Sequence, residues 1–183
     1  MKKYLGIIVL GLFLSMNVYA VENWEIKKIM DNDYIEISTE GLKIKGDKYK
    51  LLIKVEGECN TIEEGFTFYT TKNNPGVMLL PGKKIKVESM GHTIASEIVA
   101  VVPVLHGSDH IVWISNGAYE LDGHIKFISE SKKNDVKLLV VFDNFEKRTG
   151  WEAKEFFDIT ENSWSLKNVS EAVKQGRKMC LES

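Results

Sequence analysis

Leu42-Lys43-Ile44-Lys45-Gly46-Asp47-Lys48-Tyr49-Lys50-Leu51-Leu52-Ile53-Lys54-Val55-Glu56 is the stretch that decides the fold. Leu51, Ile53 and Val55 fall on one face, and Lys50, Lys54 and Glu56 on the other. That period of two belongs to a half-buried strand. Gly46-Asp47 is a two-residue turn signal, and residues 42–45 before it also alternate, so the stretch reads as a β-hairpin.

Working outward, Phe66-Thr67-Phe68-Tyr69-Thr70-Thr71 has the aromatic and β-branched composition of a strand, closed by the turn residues Asn73-Asn74-Pro75-Gly76. Residues 77–80 are short and apolar, Pro81-Gly82 turns the chain, and residues 85–88 alternate again. Residues 94–105 are more continuously apolar, and their valines favour a strand over a helix. Pro103 marks an edge or a bend there. Residues 110–115, the Asn116-Gly117 pair and residues 118–121 read as a second hairpin. Asp122-Gly123 offers another tight turn into a strand over 124–130. Residues 135–142 alternate, and residues 151–159 fit a strand end or a half-buried loop.

Only the tail has helical spacing, with Leu166, Val169, Val173, Gly176 and Cys180 on one stripe. Ser163 or Ser165 is the expected cap, and Lys174, Arg177 and Lys178 suit the negative end of the helix dipole. The expected fold is mainly β: an antiparallel β-sandwich or curled barrel-like sheet of about nine or ten strands with one C-terminal α-helix. There is no βαβ alternation to support a parallel sheet.

The first twenty residues read as an export leader. Lys2 and Lys3 are followed by an apolar run over 4–16, then by Val18-Tyr19-Ala20 with small enough residues for cleavage after Ala20. The apolar run is shorter than the roughly 20 residues a membrane-spanning helix needs. The expected organisation is a signal peptide over 1–20 and a single exported β-rich domain over 21–183, periplasmic or secreted, with no stable membrane insertion after cleavage. A net charge of −2 argues against a nucleic-acid partner.

Cys59 and Cys180 are the two cysteines. In an oxidising compartment they are expected to form a disulfide, closing a loop of about 120 residues and contributing roughly 4–5 kcal/mol in the chain-entropy account.

Chemistry-bearing residues are sparse. His106-Gly107-Ser108-Asp109-His110 brings two imidazoles and a carboxylate together, so His106, Asp109 and His110 are candidate zinc or copper ligands. No nucleophile elbow, phosphate loop or zinc-protease motif occurs, so no catalytic residue and no cofactor is assigned. Glu56, Glu58, Glu63 and Glu64 form an acidic stretch around Cys59. Adjacent Glu63 and Glu64 would point to opposite faces of a strand. Glu58, Glu63 and Glu64, with Trp151 at a loop mouth, are the candidate binding residues.

The expected function is an exported, non-enzymatic binding protein engaging another protein, of the inhibitor, immunity or surface-factor type. One alternative is a hydrolase, metal-assisted through His106, Asp109 and His110. Another is a groove for a small ligand or glycan, lined by Tyr69, Tyr119 and Trp151. An exposed edge strand is also a place where a copy of the chain can pair with itself.

Overall fold

A computed structural model describes residues 19–89, 91–104, 109–131, 137–144 and 152–183, with backbone alone at 19–20, 131 and 137–144. The order is β1 (Tyr19–Val21), β2 (Trp24–Ile29), β3 (Tyr34–Glu40), β4 (Lys48–Lys54), β5 (Thr61–Thr70), β6 (Lys84–Ser89), β7 (His92–Pro103) and β8 (His110–Glu120). Then come α1 (Leu121–Ser131), β9 (Lys137–Asn144), α2 (Ala153–Phe156), β10 (Glu161–Ser165) and α3 (Val169–Leu181).

All strands pair antiparallel in the spatial order β1-β2-β3-β4-β5-β8-β7-β6-β9-β10. The sheet is not closed, because β1 and β10 are its two edges. Its inner face carries the core. Tyr49, Phe66, Phe68 and Trp164 cluster there with ring centroids 5.2–5.8 Å apart between Tyr49 and Phe66, Phe66 and Trp164, and Phe68 and Trp164. Pairing a strand pattern with one buried face is what makes Leu51, Ile53, Ile35 and Ile37 fully buried on neighbouring strands.

Helix α3 lies on that inner face against β2, β3 and β4. Val169, Ala172, Val173, Gly176, Met179 and Cys180 are its buried stripe. Gly176 permits the close approach, since a Cβ there would stand 2.5 Å from Ile37 Cδ1. Cys180 is bonded to Cys59 across a separation of 121 residues. Asn168 occupies the N-cap position without a side-chain capping hydrogen bond, and Ser163 and Ser165 lie in β10.

Several sequence expectations need correction. The partner of Lys48–Lys54 is Tyr34–Glu40, and residues 42–45 belong to the loop between them. The backbone of Asp47 closes that loop with Gly41 and Ile44, while its side chain turns inward to accept from the Tyr69 amide and Asn162 Nδ2. Asn116-Gly117 is not a hairpin turn but a bulge inside β8: Ser115 stands opposite Gly65 and Gly117 opposite Glu64, leaving Asn116 extra. Gly117 takes φ 118°, which suits glycine. Residues 124–130 are helical, and Asp122-Gly123 is the first turn of α1. The Glu120 carboxylate accepts hydrogen bonds from the Asp122 and Gly123 amides at 3.0 and 2.6 Å, satisfying N–H groups that a helix start leaves open. Leu121, His124 and Ile128 are its buried residues, a helical spacing. Residues 77–80 lie mostly in a short 3₁₀ turn, Pro75–Leu79.

Candidate functional site

Two neighbouring residues of β5 begin the site. Glu63 and Glu64 do point to opposite faces. Glu63 is half-buried on the outer face and accepts a 3.4 Å hydrogen bond from the Tyr34 hydroxyl. Glu64 is buried on the inner face, so it is not part of an acidic surface. The Tyr49 hydroxyl donates to Glu64 Oε1 at 2.7 Å, and Asn116 Nδ2 donates to Oε2 at 3.2 Å. Ser96 of β7 donates in turn to Asn116 Oδ1 at 2.7 Å. Asn116 continues the inward series of Val112 and Ile114, and the bulge after Ser115 lets Tyr119, opposite Ile62, face inward as well.

Helix α1 supplies the second ionisable group. His124 is buried, with Nε2 3.6 Å from Glu64 Oε2 and, among the described residues, without a hydrogen-bond partner. Its ring stacks on Tyr119 at 4.3 Å, and the Tyr119 hydroxyl donates to Asn116 O at 2.9 Å. Burial pushes the His124 pKa below the ordinary imidazole value, against an opposing pull from Glu64. Burial, reinforced by Glu64, pushes both Tyr49 and Tyr119 upward, so both stay protonated donors. The result is an imidazole held toward its neutral form beside the Glu64 carboxyl group, inside a shell of hydroxyl and amide donors.

A second buried acid, Asp47, is structural. Its carboxylate accepts from the Tyr69 amide and from Asn162 Nδ2, each at 2.7 Å, tying the 41–47 loop to β5 and β10. Burial raises its pKa to about 6, helped by Asp158 and opposed by those two hydrogen bonds.

The outer face has a different character. Beyond Ile98, β7 carries a bulge: Ile98 is opposite Ile114 and Ala100 opposite Trp113, with Val99 extra. Val99 and Val102 are 42% and 54% exposed. Val102 faces Ile111, and Trp113 lies beside them under Lys50, whose Nζ is 5.7 Å from the ring. The strand over His92–Pro103 is therefore open to solvent on this face.

The expected metal ligands are not brought together among the described residues. Asp109 accepts a hydrogen bond from the Tyr69 hydroxyl. His110 stands opposite Thr70, and its Nδ1 is buried with no hydrogen-bond partner among the described residues. His106 lies outside the described residues, and among those described no group of three His, Cys, Asp or Glu can hold a metal ion. The groove expected from Tyr69 and Tyr119 is not formed either, because Tyr69 is on the outer face opposite Ile111 and Tyr119 on the inner face opposite Ile62. Trp151 lies outside the described residues. Glu58 is exposed, in the turn that delivers the buried Cys59.

His124, Asn116 and Ser96 were not singled out by sequence. The helical spacing of Leu121, His124 and Ile128 was the available signal, masked by an Asp-Gly pair that also makes turns. No protein-family model, curated protein or solved structure matches this chain. Among the described residues no helix is long and apolar enough to cross a membrane. The Cys59–Cys180 disulfide is compatible with an extracellular location.

Proposed function

We propose that this chain is an exported recognition protein, periplasmic or secreted, that engages another protein through the outer face of β7 and β8. The observation behind this reading is the pair of exposed valines, Val99 and Val102, beside the partly buried Ile111 and Trp113. The solvated face of an antiparallel sheet ordinarily carries polar side chains, and exposed apolar side chains there suit a partner surface. The antiparallel sheet carries an aromatic core on one face and is stapled by Cys59–Cys180, and this supports a rigid backing of the kind recognition requires. The leader ends after Ala20 in this reading, and intact-mass measurement of exported material checks it. The functional test is capture from the exported fraction with residues 21–183. A partner held at micromolar concentration and released by Val102→Glu supports the reading. Equal capture by wild type and Val102→Glu removes this face from it.

A second reading, hydrolysis by acid–base chemistry, is favoured by His124 Nε2, without a hydrogen-bond partner among the described residues, facing Glu64. It requires turnover of ester or amide probes that is lost in both Glu64→Gln and His124→Ala.

A further inference from the structure

The two edges of the sheet are treated differently. At β10, the loop after β3 closes the edge: the Leu42 amide donates to Ser163 O at 2.7 Å, and the Lys43 amide to Asn162 Oδ1 at 3.0 Å. At the other end β1 pairs with β2 through Tyr19 opposite Ile26, Ala20 opposite Glu25 and Val21 opposite Trp24. Two of the three β1 residues belong to the leader. Cleavage after Ala20 therefore leaves Val21 alone at the edge, too short for a ladder. Strand β2 itself stays in place, because Trp24 and Ile26 are buried in the core and the Trp24 indole donates to Lys167 O at 2.7 Å. An open strand edge presents unpaired N–H and C=O groups that another strand can satisfy.

The charges along β2 choose the occupant. Glu25 and Lys27 share the outer face, opposite Ser38 and Glu36 of β3. A two-fold axis at Ile26 sets each Glu25 across from the other copy's Lys27. The neighbouring registers that keep the faces matched put Lys27 against Lys27 or Glu25 against Glu25, and like charges directly opposite are destabilising. The strand is thus self-complementary in one register.

We propose that loss of residues 1–20 opens the β2 edge and that a second copy of this chain occupies it, β2 antiparallel to β2, centred on Ile26. The inference rests on the leader reading above, and it makes processing the step that permits assembly: the uncleaved chain covers the edge with its own β1. Because the charges are partly solvent-exposed, the dimer weakens as salt is raised.

The test measures mass in solution by sedimentation on three chains. Residues 21–183 sediment as a dimer, with twice the monomer mass. Residues 19–183, which keep β1 and change no side chain, remain monomeric. Lys27→Glu in the shorter chain gives a monomer, and Glu25→Lys with Lys27→Glu restores the dimer. A shorter chain that stays monomeric throughout the micromolar range overturns the proposal. So does a dimer that persists in residues 19–183 or in Lys27→Glu. Intact mass of exported material judges the leader reading separately, since the recombinant chains begin where they are made to begin.

Discussion

Burial of Asp47 makes the stability of the fold depend on pH. It is fully buried, and its carboxyl titrates near pH 6 in the folded chain against an ordinary value of 3.8. The folded state holds that proton more tightly, so the stabilisation is fully present below about pH 4 and is lost as pH rises through about 6. The shift corresponds to about 3 kcal/mol. Other acids act in the opposite sense: Glu25, hydrogen-bonded by Lys48 and Lys27, and Glu36, whose burial is outweighed by Lys50 and Lys27, are both held low. Comparison with Asp47→Asn cancels those terms. In urea titrations, wild type gains up to about 3 kcal/mol over the variant between pH 7 and pH 4. An unchanged difference between the two pH values contradicts a carboxyl that protonates near 6.

At the scale of elements, the contact between α3 and β3 depends on one missing side chain. Gly176 costs the helix about 1 kcal/mol of intrinsic propensity relative to alanine. The close seat on Ile37 offsets that cost, because a bulkier residue would hold the helix off a fully buried side chain. Overpacking of such an interface costs on the order of 1–3 kcal/mol. Gly176→Leu is therefore expected to lower the urea midpoint, whereas Lys174→Leu on the exposed side of the same helix is expected to leave it nearly unchanged. A Gly176→Leu chain as stable as wild type would mean that α3 can shift without loss.

For the whole molecule, the Cys59–Cys180 bond joins the turn before β5 to the last turn of α3 and encloses most of the sheet. A loop of that size predicts a contribution of about 4–5 kcal/mol through the unfolded state. Replacing both cysteines by alanine is expected to lower unfolding free energy by about that amount in denaturant titrations, with the inner-face core intact below the transition. A loss under about 1 kcal/mol would indicate that the reduced, unfolded chain already keeps its ends close.

The period-two runs, the final helix and the paired cysteines were legible in the sequence because each is a local or compositional signal: alternation decides which face is buried, and helical spacing marks one stripe. The strand pairing Tyr34–Glu40 with Lys48–Lys54 was not, since Asp47 is a turn residue by type and becomes a buried link only when Asn162, 115 positions away, comes beside it. Asn116-Gly117 and Asp122-Gly123 show the same limit: both pairs favour turns, yet one is a bulge and the other opens a helix capped by Glu120. The Glu64–His124 pair and the exposed valines of β7 were decided by tertiary structure alone. A strand pattern says that two faces differ, but which groups share a face across strands depends on register and bulges, and those are set by long-range packing.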